Sequence, residues 1–406
     1  MFKLPATFRN DYENYMTSPV IKSFLYHSGV KFKWSMGRME LIELLESFAN
    51  NSGDNRELVQ EWIDNCTKEG IKYVFIKKID EMSLGWEKII NNELQESINN
   101  ILSCVENKHL CNSMNWYDMN IRLIKYNDVN TEWGRVLSFY FCKKIHTYDR
   151  MRFAKESLYP VFVDIYVDYK IAVGRGKSKA GMYEYRDEGF DHDCSTTTDV
   201  TKEVGQAFKY LTEKIGVSYL KGIEVNRFFR KKFFYLLDKY TKTPDIIKQK
   251  MQNKDKELEE CICFIKDNIC ELGIEYKIDI EKDMLNLVEK YFSISYPDKS
   301  IFTEGRDAYP LKIIATDEEE SHMEQAAGAE EPLQAKAIFF DNKKMMQKSK
   351  LCDGFEFKFH KITPVKSDTD FRVGISAKKD YCLLKFSEFM REEDILHVLF
   401  SIINAE

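Results

Sequence analysis

The sequence predicts an α+β, multidomain protein: an N-terminal helical module, a central mostly antiparallel sheet with flanking helices, a helical connector and a small C-terminal α+β unit. Three observations carry that prediction. A length of 406 residues suits two to four domains at roughly 100–200 residues each. Apolar residues recur at helical spacing over 39–66, 86–105 and 200–292, but alternate over 119–173 and again beyond 337. The links between the alternating segments are too short for helical crossovers, so their strands pair antiparallel. At 44% apolar and 14% aromatic residues, with 8 prolines and 18 glycines, the chain excludes a collagen-like, linker-dominated or wholly disordered protein.

The elements follow in order. Residues 1–80 form the helical module. Over 39–48, Leu41, Leu44, Leu45 and Phe48 share one helical face, and Asp54 and Glu57 have capping-box spacing for a second helix that turns Val59, Trp62, Ile63 and Cys66 inward. Gly70 is placed to end it before a strand over 71–79. Two short helices followed by a strand suit either a DNA-reading module or plain scaffolding. Residues 81–245 form the central α+β domain. It opens with one long amphipathic helix over 86–105, and strands follow over 119–126, 136–143 and 160–173. Val200–Ile215 and 227–240 return to helix. The connector, 246–312, carries helices over 246–272 and 283–292. Residues 313–336 form an acidic flexible segment. The C-terminal unit, 337–406, holds strands over 337–340, 355–359, 371–375 and 381–386 and closes with a helix over Glu392–Ile403.

The net charge of −6 is misleading, because Asp317, Glu318, Glu319, Glu320, Glu324, Glu330 and Glu331 fall in one stretch without a lysine or arginine; outside it 60 basic residues face 59 acids. A polyanionic partner is therefore not excluded. Ten cysteines without a CxxC pair read as reduced, mostly buried thiols of a cytoplasmic or nuclear protein. No stretch has the length of a membrane span or a signal-peptide core, so a soluble protein that is not secreted and meets no membrane is expected.

Two basic constellations stand out. Residues 169–186 hold Lys170, Arg175, Lys177, Lys179 and Arg186 against Glu184, with Gly174, Gly176 and Gly181 between them and Tyr183 and Tyr185 beyond. A glycine-rich basic loop lets amides and cations approach phosphate, and tyrosines stack on unpaired bases. The same residues would also make a solvated hairpin whose lysines guard a sheet edge. The loop fails as a P-loop, with Ile171 at the first glycine position, and fails GxGxxG spacing at Lys179. The second group, in 227–242, places Arg227, Arg230 and Lys231 on one helical face opposite Phe229, Phe233, Leu236 and Tyr240. It is either a phosphate-binding face, suited to arginine's bidentate fork, or the wet face of an amphipathic helix. Arg135, Arg150 and Arg152 would extend the surface.

Catalysis has one candidate. Alternation along 160–173 puts Asp164, Tyr166, Asp168 and Lys170 on one face, and Asp168-Tyr-Lys170 resembles half of the restriction-endonuclease-like signature. In that family carboxylates hold Mg²⁺ and the lysine stabilises the attacking water or the developing charge. Alternating charge on a wet strand face gives the same pattern. Asp191, His192, Asp193 and Cys194 gather metal-ligand types, but consecutive ligands seldom close one site. No other cofactor is implied.

The order of elements over residues 1–240 resembles the centromere protein N family of kinetochore DNA- and nucleosome-binding proteins. The likeness runs through Glu40–Phe48, Glu132–Phe141, Tyr159–Tyr183, Val200–Gly216 and the basic helix 227–240. It implies recognition of the DNA backbone by a basic groove, without catalysis. The reading is a non-catalytic nucleic-acid-binding protein, for DNA or RNA, working with other protein subunits. It contacts phosphate through Lys170, Arg175, Lys177, Lys179, Tyr183, Arg186, Arg227, Arg230 and Lys231. The alternatives are a Mg²⁺-dependent nuclease at Asp164, Asp168 and Lys170, or an interaction scaffold.

Overall fold

The structure is a computed structural model that describes residues 1–9, 15–103, 109–111, 117–148, 153–186, 190, 196–271, 279–316, 322–328, 331–365 and 368–406. Along the chain run α1 (Ala6–Arg9), α2 (Ser18–His27), α3 (Arg38–Asn51), α4 (Gly53–Cys66), β1 (Tyr73–Lys78), α5 (Leu84–Ile90), α6 (Leu94–Leu102), β2 (Arg122–Thr131), β3 (Gly134–Tyr148), β4 (Ala154–Tyr166), β5 (Ile171–Gly176), β6 (Met182–Glu184), β7 (Thr197–Thr198) and α7 (Val200–Ile215). Then come α8 (Ile223–Tyr240), α9 (Asp245–Gln252), α10 (Asp255–Glu271), α11 (Ile280–Ser295), β8 (Ala308–Thr316), β9 (His322–Ala326), α12 (Ala337–Ser349), β10 (Gly354–Val365), β11 (Asp368–Ala377), β12 (Cys382–Phe386) and α13 (Glu392–Ile403). The mixed α+β class stands. The chain divides into two compact units, Met1–Gly222 with Asp380–Ile395 and Ile223–Lys379 with Leu396–Glu406. Helical module and central sheet thus share the first unit.

In that unit the strands lie in the order β7-β6-β3-β4-β5-β1-β12, with β2 also on β3, and each of these pairs is antiparallel. Apart from their first residues and the last of β3, β3 and β4 are buried throughout, so both sheet faces are covered. One face carries Phe139, Phe141, Val161, Val163 and Ile165 against Val204, Phe208 and Leu211 of α7 and Trp86, Ile89 and Ile98 of α5 and α6. The other carries Tyr140, Cys142, Leu158 and Phe162 against Leu25, Leu41, Leu45, Val59 and Ile63 of α2–α4. The alternation along β4 therefore separates two cores, and the wet strand face, the alternative reading of 160–173, does not occur within β4; Asp168 and Lys170 are exposed only beyond its end. That segment is also not one strand: β4 ends at Tyr166, the chain turns with Lys170 at φ +55°, and β5 runs back beside it.

Gly174 and Gly176, read from the sequence as loop flexibility, lie inside β5. A Cβ on Gly174 would stand 2.5 Å from Val204 Cγ1 and 2.7 Å from the Phe208 ring, and one on Gly176 would stand 2.8 Å from Val200. They are glycines because α7 presses on the strand there. The α7 boundaries are those expected. Asp199 accepts from the Lys202 amide at 2.9 Å, and Gly216 closes the helix at φ +87°. At α4 the cap is Ser52, accepting from the Asn55 amide at 3.0 Å, two residues ahead of the expected Asp54.

The second unit builds the sheet β11-β10-β8-β9, with α8 placing Phe233 and Tyr240 against Phe355 and Phe357 at ring distances of 5.1 and 5.6 Å. Four expectations are corrected. The helix over 86–105 breaks into α5 and α6 around Asn92 at φ +59°, and 246–272 is two helices, α9 and α10. The apolar run 337–340 opens α12, which buries Phe339, Phe340 and Met346; four apolar residues alone do not distinguish strand from helix. The acidic segment, expected to be flexible, contains β9, where Glu324 pairs with Lys312 of β8 at 2.5 Å and Gln325 is buried; residues 317–321 and 329–330 lie outside the described residues.

Gly174→Ala is expected to lower unfolding stability by about 1–3 kcal/mol, the cost of overpacking a filled core. Gly205→Ala, on the exposed side of α7 with open space around its Cβ, is expected to raise it by roughly 0.5–1 kcal/mol. Thermal denaturation of both variants checks the pair of signs.

Candidate functional site

Arg175 stands between the two glycines of β5 and so projects to the face opposite α7. It is fully buried. Its guanidinium pairs with Asp164 Oδ2 at 3.3 Å and with Glu392, and donates to the Tyr166 hydroxyl at 3.4 Å. Asp164, on β4, also accepts from the Ser138 hydroxyl at 2.6 Å and from Lys68 Nζ at 2.8 Å. Lys68 follows α4 and lies 4.8 Å from the Tyr140 ring centre. Lys72 sits over the Tyr15 and Phe162 rings at 5.4 and 6.0 Å, and Lys177 Nζ lies 4.5 Å over Tyr15. Four cations thus share one buried region with Asp164 and Glu392.

Burial pushes the Asp164 carboxyl up, but Lys68 and Arg175 outweigh it and hold the group below its ordinary value. Burial likewise lowers Lys68, and Asp164 overrides it, so Lys68 titrates above the usual lysine range. Lys72 moves the other way: burial, then Lys177 and Arg175, bring its ammonium down to about 7. On the α7 face lies a further buried ion pair, Lys143 with Glu203 at 2.9 Å.

The residues beyond β5 form a basic corner. Lys177 is nearly buried and its carbonyl accepts from the Tyr159 hydroxyl at 2.6 Å. Lys179 and Arg186 are respectively half-buried and exposed, and Tyr183, on β6, is half-buried. Lys155 enters β4 beside this loop. Burial lowers its ammonium to about 8, assisted by Lys179 and then Lys177. At the same end of the sheet the rings of Tyr148, Tyr183 and Phe190 meet edge-on at 5.1–5.7 Å, and His146 stacks on Tyr185 at 5.0 Å.

The sequence-derived site residues therefore separate. Arg175 is an internal ion-pair partner rather than an exposed phosphate contact, and Lys177 is largely drawn inward. Lys170 lies at the β4–β5 turn, exposed and paired with Glu81 at 2.7 Å. Asp168 is in the same turn, lying against Gly134, whereas Asp164 is buried mid-strand; the trio Asp164, Asp168 and Lys170 is not assembled on one face, because the strand ends between its members. In the second unit Arg227 and Lys231 are exposed on α8, and Arg230 pairs with Asp353. Arg135 is held by two bonds to Asp128 at 2.7 and 3.0 Å. Arg150, Arg152 and 191–194 lie outside the described residues. Sequence reading missed Lys68, Lys72, Lys155 and Glu392. The local signal was a pair of lysines flanking Gly70; Glu392 joins Arg175 across 217 positions and has none.

Comparison with protein-family models, with curated proteins and with solved structures finds no match for this chain.

Asp164→Asn leaves Lys68 and Arg175 buried without their shared carboxylate and is expected to cost about 3–5 kcal/mol, read by urea denaturation. Lys72→Met is expected to stabilise at neutral pH. The folded-state value of Lys72, about 7, lies below its ordinary 10.5, so between these limits the unfolded chain binds more protons and stability rises with pH. Denaturation midpoints measured across that window should rise in the parent and rise less in the variant.

Proposed function

We propose that this protein binds nucleic acid without cleaving it, through the basic corner of the first unit and the exposed face of α8. The observation that carries the reading is the gathering of Lys155, Lys177 and Lys179 beyond β5, close enough for the last two to add to burial in lowering the first. Assembling like charge is unfavourable, and a polyanion relieves it. Lys155, Lys179 and Arg186 contact phosphate there, Tyr183 offers a ring for an unpaired base, and Arg227 and Lys231 provide a second cationic face. Lys170 joins when it leaves Glu81. The layout likeness of residues 1–240 to the centromere protein N family points the same way. No helix among the described residues is long and apolar enough to cross a membrane. Buried free thiols at Cys66, Cys111, Cys142, Cys352 and Cys382 support a reducing compartment, cytoplasm or nucleus. Exposed Phe264 and Tyr291 suit further protein subunits.

The test is fluorescence anisotropy with labelled single-stranded and duplex oligonucleotides over a salt series. Binding should weaken steeply with salt. Replacing Lys155, Lys179 and Arg186 together by alanine should flatten the slope of log K against log salt by up to roughly 2 for single strands, at about 0.7 per lost contact. Affinity should also fall as pH rises through about 8, because phosphate favours the protonated Lys155, and Lys155→Ala should remove that fall. Unchanged affinity and slope in the triple variant overturn the corner as the binding surface.

A further inference from the structure

The first unit holds a second feature of opposite character. A cleft of about 650 Å³ opens between α2, the end of α4 and the start of α13, within the size range of small-ligand sites. Its apolar wall is Pro19 and Val20 with Phe24 and Trp62, whose rings stack at 4.4 Å. Its floor is continuous with the buried cluster: Lys68 lines the cleft while its ammonium reaches inward to Asp164, and Glu392 lines it while pairing with Arg175. Those two charges are balanced from within. Facing the opening are Glu69 and Glu393 against Arg391, with His27 on α2.

We propose that this cleft binds an aliphatic cation, an ammonium or guanidinium carried on an apolar stem. The stem lies along the Phe24 and Trp62 wall and the charge meets Glu69 and Glu393. A phosphate would meet the same two acids and be repelled, so the site is independent of the nucleic-acid reading. The state of Glu69 agrees. Burial, with Glu392 and Glu393, lifts its carboxyl to about 7 against the Glu392 amide and Arg391. A bound cation adds to the positive charge that Arg391 already brings and shifts that balance toward the ionised carboxylate. The other groups facing it are Cys66 at the end of α4, Lys68 just beyond it and His27 from α2.

The test titrates the full chain with n-hexylammonium, agmatine and Nα-acetyl-lysine methylamide, with hexanoate as the comparator, by isothermal calorimetry. The cations should bind at one site and hexanoate should not. Affinity should increase as pH rises through about 7, because Glu69 must be ionised. His27→Gln, changing another group that faces the cleft, should retain most of the pH dependence and Glu69→Gln should remove it. Glu69→Gln should also weaken binding roughly five- to tenfold, the loss of one half-buried ion pair. Glu393→Gln should weaken it as well, and serves if the first variant fails to fold. Binding of the capped lysine as tightly as hexylammonium assigns the site to a side chain of a protein partner; preference for the uncapped amines assigns it to a free amine. Hexanoate binding as tightly as the cations, no binding by any cation, or a Glu69→Gln variant with unchanged affinity and pH profile overturns the proposal.

Discussion

The first unit depends on covering both faces of β3, β4 and β5 at once. At β5 the two requirements meet in three consecutive residues. Gly174 and Gly176 have no side chain, so α7 settles directly on the strand, and Arg175 between them must project to the other face. There it is sealed beneath the N-terminal helices. A buried guanidinium is tolerable only with partners that are themselves held in place. Asp164 is one strand over, and Glu392 arrives from the far end of the sequence.

That arrangement explains the surplus of buried cations better than a search for a catalytic role does. Asp164 is shared by Lys68, Ser138 and Arg175, which is why it stays ionised despite burial. Lys72 lies over the Tyr15 and Phe162 rings, an accommodation worth less than a carboxylate. Lys72 shows the consequence in its lowered ammonium. A charge held this way is weak evidence of stability and better evidence of registry: the N-terminal helices, the sheet and residue 392 each contribute members, so the cluster is satisfied in one arrangement of all three.

Legibility in the sequence followed the range of the interaction. α7 was readable end to end, since Asp199, Gly216 and the apolar stripe lie within one segment, and so was Glu392–Ile403. The breaks at Asn92 and between α9 and α10 were lost because a continuous apolar stripe passes through them. The β4–β5 turn was lost for a different reason: Asp164, Tyr166, Asp168 and Lys170 continue an even alternation through a residue in the left-handed region. Polar residues on alternate positions normally mean water. Here Asp164 and Tyr166 face a second core while Asp168 and Lys170 are exposed in the turn beyond, and the partners of Asp164 that mark the difference include residues 26 and 96 positions away. The glycines were legible as exceptional but misassigned, because a glycine needed for a close helix contact and one needed for a supple loop look alike in a sequence.

The formal charge of the chain conceals a segregation that the fold creates. Lysines collect at the corner beyond β5, acids at the mouth of the cleft, and the buried cluster lies against both, since Lys177 belongs to the cluster and the corner while Glu392 belongs to the cluster and the cleft. Contiguity of this kind does not by itself transmit a signal. Transmission needs an element with two alternative packings, and β5 is the element that would have to move. Pressed by α7 on its glycine side and pinned through Arg175 on the other, it has no second place to go without opening one of the two cores. The cluster is therefore a fixed support that keeps a cationic and an anionic surface apart on one small unit, and each surface is free to take its own ligand.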